Sequence, residues 1–119
     1  MNAKRRILVV DDDPSIRTMV QTVLQRAGYE VATAHDGCEA IAMLAANDYD
    51  VVLLDVIMPK LSGVAVVEQL RKENSPVLAH TYLLTADLHA VENLPVRGVI
   101  VKPFDIRALI AETRDCIGH

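Results

Sequence analysis

Short apolar runs, rich in β-branched residues, recur along the chain and do not alternate with polar residues. The clearest are residues 7–10, 51–54 and 99–101, and two further strands are predicted at 29–34 and in a segment that ends with Leu83-Leu84. A strand that is apolar on both faces is typical of a parallel sheet covered by helices on its two sides. The pattern therefore predicts five strands, of which the first and third are buried on both faces.

Longer segments, in which apolar residues recur at helical spacing, separate these runs. The first begins at Pro14, with Asp13 as its cap, and Gly28 is its expected stop. Further helices are predicted at 37–46, 64–73 and 106–117. Strands and helices therefore alternate along the chain.

Alternating strands and helices form right-handed crossovers, which place the strands in one parallel sheet and the helices on both of its faces. The predicted fold is α/β, a flavodoxin-like three-layer sandwich whose five-stranded parallel sheet has the order 2-1-3-4-5. A length of 119 residues fits a single domain, 1–119.

The composition narrows the function classes. Hydrophobic residues make up 51% and charged residues 24%, which is typical of a soluble domain with a core. The low aromatic content (3%, without Trp) and a net charge of −4 argue against a nucleic-acid partner. No stretch is long and apolar enough to span a membrane, so a cytoplasmic location is expected. Cys38 and Cys116 are predicted to be free, buried thiols.

Polar side chains follow the predicted strands where the carboxyl ends of a parallel sheet form a crevice. They are Asp11, Asp12, Asp55, Thr85 and Lys102. Crowded carboxylates repel one another, and a hard divalent cation such as Mg²⁺ relieves that repulsion. The ammonium and the hydroxyl suit a phosphoryl group, and a carboxylate can itself be the nucleophile that accepts it. Asp55, on the central strand, is best placed for that role.

Four segments, 7–13, 54–59, 83–86 and 101–104, resemble the signatures of response-regulator receiver domains, in the same order along the chain. The resemblance implies that Asp55 accepts a phosphoryl group from a phosphohistidine on a sensor histidine kinase or a phosphotransfer protein. It implies a signalling switch, with self-catalysed phosphoryl transfer and dephosphorylation, that acts on a downstream effector. Monomers or weak homodimers are expected.

The same resemblance assigns the individual side chains. Asp12 would bind Mg²⁺ directly, Asp11 would act mainly through water, and Asp55 and the backbone carbonyl of Ile57 would complete the protein's ligands. Thr85 would donate a hydrogen bond to the phosphoryl group and Lys102 would pair with it. The Lys102–Pro103 peptide bond is expected to be cis.

Three features depart from the family pattern. Val99 occupies a position, three residues before the lysine, that usually holds Phe or Tyr. The stretch 86–98 is shorter than usual and contains Pro95, so we expect a short or irregular fourth helix, such as 87–93. Ile57 offers no hydrogen bond to a hydrolytic water, which predicts a long-lived phosphoryl group.

Two other function classes stay open at this point. A haloacid-dehalogenase-type phosphatase would use Asp11 as its nucleophile and Asp55 as a metal ligand, although the chain is short for that family and lacks a cap insert. A receiver-like binding module that needs no phosphate would agree with Val99 and the short fourth connection. Asp13 is predicted to cap a helix, and the scattered histidines (His35, His80, His89 and His119) are predicted to hold no metal. A structural ion pair with Asp55 is the plainer alternative to a phosphoryl-binding role for Lys102.

Overall fold

A computed structural model describes residues 4–118. The ends of the predicted domain, at residues 1 and 119, and the histidine at 119 lie outside the described residues. None of the helices in the described part has the length and apolar character needed to cross a bilayer.

Five strands form one sheet in which every neighbouring pair is parallel. The spatial order is β2-β1-β3-β4-β5, which confirms the predicted topology. The strands are β1 (Arg6–Val10), β2 (Glu30–Ala34), β3 (Val51–Asp55), β4 (Thr81–Thr85) and β5 (Gly98–Val101). β3 and β4 each include the polar residue at which the strand ends, one residue beyond the apolar run that predicted it.

Four α-helices connect and flank the strands: α1 (Pro14–Arg26), α2 (Gly37–Ala46), α3 (Gly63–Lys72) and α4 (Ile106–Ile117). Each begins after a side chain that accepts a hydrogen bond from the first turn, and Asp13 is such a cap, as predicted. Gly28 follows α1 with a φ of 102°, a conformation that glycine adopts without strain.

The core consists of two layers, one on each face of the sheet. One face packs Leu8, Leu54 and Leu83 against α2 and α3. The other packs Ile7 and Leu84, with their neighbours, against α1 and α4. Helices therefore cover both faces, as predicted, and each fully buried aliphatic side chain contributes about 1.5–3 kcal/mol.

The connection between β4 and β5 differs from the other crossovers. A 3-10 helix of four residues, Leu88–Val91, takes the place of an α-helix, which confirms the expected short fourth helix. Val91 is buried and attaches this connection to the core. A second 3-10 helix, Pro76–His80, precedes β4 where the sequence indicated only a break.

The prediction that both thiols are buried is wrong. Cys38 is exposed and Cys116 is half-buried. Cys38 is the second residue of α2, and the residues on either side of it in the first turn differ in exposure, so the helical pattern alone did not determine its burial.

Candidate functional site

The five polar residues singled out in the sequence lie at one edge of the sheet. Asp11 and Asp12 follow β1, Asp55 ends β3, Thr85 ends β4 and Lys102 follows β5. The register places Asp55 beside Leu84 and Thr85 beside Val101, so the carboxyl ends of these strands are level. Because the apolar strands end at the same level, the polar residues that follow them lie together at this edge of the sheet.

The three carboxylates form a compact group. One oxygen each from Asp11, Asp12 and Asp55 lies within 4.8 Å of the others. Asp11 and Asp55 are buried whereas Asp12 is exposed, and 8% of the Asp55 side chain remains accessible to solvent. The acceptor predicted from the sequence, Asp55, therefore lies beside the other acids, and part of its side chain is accessible to solvent.

Lys102 supplies the positive charge of the site. Its Nζ atom is 3.1 Å from Oδ1 of Asp55 and 3.5 Å from Oδ2 of Asp11. The Lys102–Pro103 bond is cis, as expected. Burial lowers the pKa of Lys102, but the hydrogen bond and charge of Asp55, together with Asp11, outweigh it and the pKa is raised. Lys102 therefore forms an ion pair with Asp55, which was the plainer alternative role, and Asp11 shares it.

Asp55 is held in an environment that disfavours its charge. Burial is the largest influence and raises the pKa of its carboxyl, and the negative charge of Asp11 adds to that effect. Lys102 and the backbone N–H of Ile57 lower the pKa and compensate only in part. A cation bound among the acids would favour the ionised form.

Asp11 is fixed by partners on several elements. Its N–H donates to the carbonyl of Ala34 at 3.2 Å, and its Oδ1 accepts from the N–H of Asp13 at 2.9 Å. Its carbonyl oxygen accepts a hydrogen bond from Nη1 of Arg17 on α1 at 2.8 Å. Sequence reasoning missed Arg17; the signal that could have found it is a cation near the N-terminal end of a helix, where a positive charge is disfavoured.

The hydroxyl of Thr85 is engaged within its own loop. It donates to the carbonyl of Asp87 at 3.3 Å and accepts from the N–H of Asp87 at 3.0 Å. Val99 is half-buried and packs against the core layer beneath α2 and α3. The hydroxyl is at the predicted edge, but in this conformation its proton points to the connection that leads to β5.

The loop after β3 brings two further features to the site. The side chain of Ile57 is 78% exposed and stands outside the core. Gly63, at the start of α3, donates its N–H to the carbonyl of Val56 at 2.8 Å. A Cβ atom at Gly63 would lie 2.4 Å from the carbonyl oxygen of Asp55, so only glycine permits this approach. Gly63 directly precedes the helix predicted at 64–73, and sequence reasoning gave it no role at the site.

The donor set is chemically suited to Mg²⁺. Magnesium takes oxygen ligands, prefers one or two protein carboxylates, and keeps waters or phosphate oxygens in its other positions. The exposed Asp12 leaves a side of the acid group open to such ligands. Among residues 4–118, the group of three potential metal-binding side chains is Asp11, Asp12 and Asp55.

Comparisons with known proteins agree with this geometry. The sequence model of the family described as "Response regulator receiver domain" matches residues 7–114. The "Probable transcriptional regulator ycf27" of Cyanophora paradoxa is 42% identical over 116 residues, which are 96% of this chain and 48% of that protein. The chain thus spans about half the length of the curated relatives it matches.

Solved structures give the same assignment. The chemotaxis protein CheY4 of Vibrio cholerae is 34% identical, with a TM-score of 0.85 over 96% of this chain and 99% of that one. The response regulator TrrA of Thermotoga maritima, solved in complex with Mg²⁺-BeF, is 37% identical, with a TM-score of 0.83 over 94% of this chain and 98% of that one. The chain belongs to the response-regulator receiver domain family.

Proposed function

We propose that this receiver accepts a phosphoryl group on Asp55 from a phosphohistidine, in a Mg²⁺-dependent reaction, and changes a surface that a downstream effector recognises. The donor is a sensor histidine kinase or a phosphotransfer protein. The observation that carries the proposal is the convergence of Asp11, Asp12 and Asp55 within 4.8 Å, with the ammonium of Lys102 3.1 Å from Asp55.

The transfer is a displacement at phosphorus. A carboxylate oxygen of Asp55 attacks, the N–P bond of the phosphohistidine breaks, and the imidazole of the donor keeps the bonding electron pair. Lys102 already contacts Asp55 and lies where the charge of the phosphoryl oxygens accumulates. Its ammonium therefore stabilises the transferring group by a charge-assisted hydrogen bond.

Asp11 and Asp12 would hold the magnesium ion, with Asp55 and the carbonyl oxygen of Ile57 as further ligands. The bound ion supplies positive charge that neutralises carboxylate and phosphoryl oxygens. Asp11 is buried and already contacts Lys102 and the N–H of Asp13, which suits a role through water. Asp12 is exposed and suits direct contact.

Thr85 is the proposed donor of a hydrogen bond to the phosphoryl group. To donate in that direction, its hydroxyl proton must leave the carbonyl of Asp87. The phosphoryl group would therefore release one local hydrogen bond of the β4–β5 connection. Such a change in a short connection is one way in which a local charge biases a surface between two states.

The proposed domain promotes its own phosphorylation and dephosphorylation and is not an enzyme with turnover on a separate substrate. Hydrolysis of the aspartyl phosphate requires an attacking water. Ile57 is exposed at the loop that follows Asp55 and brings no polar atom from its side chain to orient that water. A long-lived phosphoryl group is therefore part of the proposal.

The phosphatase alternative is disfavoured by the surroundings of Asp11. Both of its carboxylate oxygens have partners, Asp13 and Lys102, and the residue is 1% exposed. A nucleophile so enclosed is poorly placed for an incoming phosphate ester. The module that needs no phosphate keeps two supporting observations, the half-buried Val99 in place of an aromatic ring and the short β4–β5 connection.

Labelling with a small acyl phosphate and Mg²⁺, followed by mass mapping of the modified residue, tests the proposal. We expect one phosphoryl group on Asp55, and no label on Asp55→Asn. Asp13→Asn, at the helix cap, is the matched control and should be labelled like the natural chain. Label on Asp11 would support the phosphatase, and absence of label from the natural chain would support the binding module.

The domain would act in the cytoplasm, as a monomer or a weak homodimer, and would not itself bind nucleic acid, in agreement with its charge of −4. Several curated relatives are named as probable transcriptional regulators, and this chain spans about half of them. In such a protein, any contact with DNA would belong to the other half.

A further inference from the structure

The carbonyl group of Asp11 is the first beyond β1, which ends at Val10. Its hydrogen bond comes from a side chain, the guanidinium of Arg17, with 2.8 Å between Nη1 and the oxygen. This oxygen belongs to the peptide that joins Asp11 to Asp12. A half-buried cation on α1 therefore holds the peptide from which the Asp12 side chain projects.

Asp11 and Asp12 depend on this contact to different degrees. Asp11 is buried, its N–H and its Oδ2 have partners at the ends of other strands, and its Oδ1 accepts from Asp13 in its own loop. Asp12 is exposed, so packing does not fix the direction of its side chain. Its direction is determined chiefly by the preceding peptide, whose oxygen Arg17 holds.

The position of Arg17 supports a role beyond the helix itself. It is the fourth residue of α1, and its own N–H donates to the carbonyl of Asp13 at 3.0 Å. The N-terminal end of a helix carries partial positive charge, which disfavours a cationic side chain there. Helix formation alone would favour a neutral or acidic residue, whereas the contact with Asp11 accounts for the arginine.

We propose that Arg17 is a positioning residue for the magnesium site, which directs the Asp12 carboxylate toward Asp11 and Asp55 by holding the Asp11–Asp12 peptide. The inference rests on the proposed function and gives Arg17 no contact with metal or phosphoryl group. The charge of Arg17 acts in the opposite direction, since a cation near the acids weakens their attraction for Mg²⁺. If Arg17 acts by positioning, its loss weakens Mg²⁺ binding. If only its charge matters, its loss strengthens Mg²⁺ binding.

Titration of the unphosphorylated chain with MgCl₂, followed by NMR or calorimetry, tests the inference. Arg17→Met removes the donor and the charge and keeps a long side chain of similar helix propensity. We expect the Mg²⁺ dissociation constant to rise about three- to tenfold, as for the loss of one hydrogen bond. A dissociation constant that is unchanged or lower would overturn the assignment.

Two controls make the result specific. Arg26→Met removes the same charge at the other end of α1, about 14 Å along the helix, and should leave Mg²⁺ binding unchanged. In an Asp12→Asn background, Arg17→Met should have no further effect, because the carboxylate that it directs is gone. An equal loss of affinity in that background would overturn the inference.

Thermal unfolding of the same variants separates positioning from a structural role. Lower stability of Arg17→Met with unchanged Mg²⁺ affinity would make Arg17 a structural residue only. Failure of the natural chain to bind Mg²⁺ would contradict the proposed function itself, whereas binding by the natural chain and equal binding by Arg17→Met would contradict only the role of Arg17.

Discussion

The two sides of the site differ in how firmly their side chains are held. On the β1 side, Asp11 has partners from β2, α1, its own loop and the end of β5. On the β4 side, the hydroxyl of Thr85 has Asp87 as its partner, two residues away in a connection with one four-residue 3-10 helix. Asp11 is thus held by several elements in the absence of a ligand, whereas the hydroxyl of Thr85 is restrained only by bonds within its own loop.

This contrast locates the responsive part of the domain. An aromatic ring at position 99 would give the sheet a large side chain to reorient, but Val99 has one rigid, branched side chain. We expect the response to phosphorylation to pass instead through Thr85, Asp87 and the short connection.

Removal of the Lys102 ammonium should have the largest effect on the stability of the β1 side of the site. Lys102→Met leaves Asp55 and Asp11 buried side by side without a counter-charge, so we expect the free energy of unfolding to fall by about 2–3 kcal/mol and labelling of Asp55 to be lost. Urea denaturation at pH 7 measures the stability. Adding Asp55→Asn should restore most of it; an unchanged free energy of unfolding in Lys102→Met would contradict the ion-pair network.

The pH dependence gives an independent check on the same residue. The pKa of Lys102 is raised, so its contribution to stability is fully present below the ordinary value of 10.5 and is lost as the pH rises through the higher folded value. Denaturation curves at alkaline pH should therefore show a fall in stability that is smaller in Lys102→Met. Equal falls in both proteins would assign the effect to other groups.

The loosely held side should respond to a phosphoryl mimic. With Mg²⁺ and beryllium fluoride, we expect the amide NMR signals of residues 85–91 to shift, because the hydroxyl of Thr85 exchanges Asp87 for the mimic. Signals from the middle of α1, such as Val20, should move little. Thr85→Ala should abolish the shifts of residues 88–91. Shifts confined to the acidic side would contradict transmission through this connection.

The smallest expected effect concerns the lifetime of the phosphoryl group. Ile57→Asn introduces a side chain that can hydrogen-bond the attacking water, and one such bond corresponds to dephosphorylation faster by about fivefold. Loss of label from the aspartyl phosphate over time measures the rate. Ile57→Val, which stays apolar, is the control, and equal rates in all three proteins would remove the hypothesis.

Much of this arrangement could be predicted because each strand is a short run of consecutive apolar residues, which can be recognised from the local sequence. Apolar runs predicted the positions of the strands to within a residue or two. The rule of parallel crossovers then predicted that Asp55, Thr85 and Lys102 meet at one edge of the sheet. The short fourth helix was predicted from Pro95 and from the reduced length of the stretch 86–98. These inferences needed only pattern and connectivity.

Other features depend on contacts between distant segments, which a single sequence does not specify. Arg17 has the spacing of an ordinary surface residue of α1, and its bond to Asp11 depends on how the helix leaves its cap. Cys38 was wrongly predicted to be buried because helical spacing alone does not show which residues in the first turn of α2 face solvent. The carbonyl of Ile57 as a metal ligand stays a prediction.

The close approach of Gly63 to the carbonyl of Asp55 has a mechanical consequence. The first residue of α3 and the backbone of Asp55 are in close contact, with no side chain between them to absorb a displacement. We therefore expect a partner that shifts α3 to shift the backbone of Asp55 as well. Binding outside the crevice would then change how readily this carboxylate is modified.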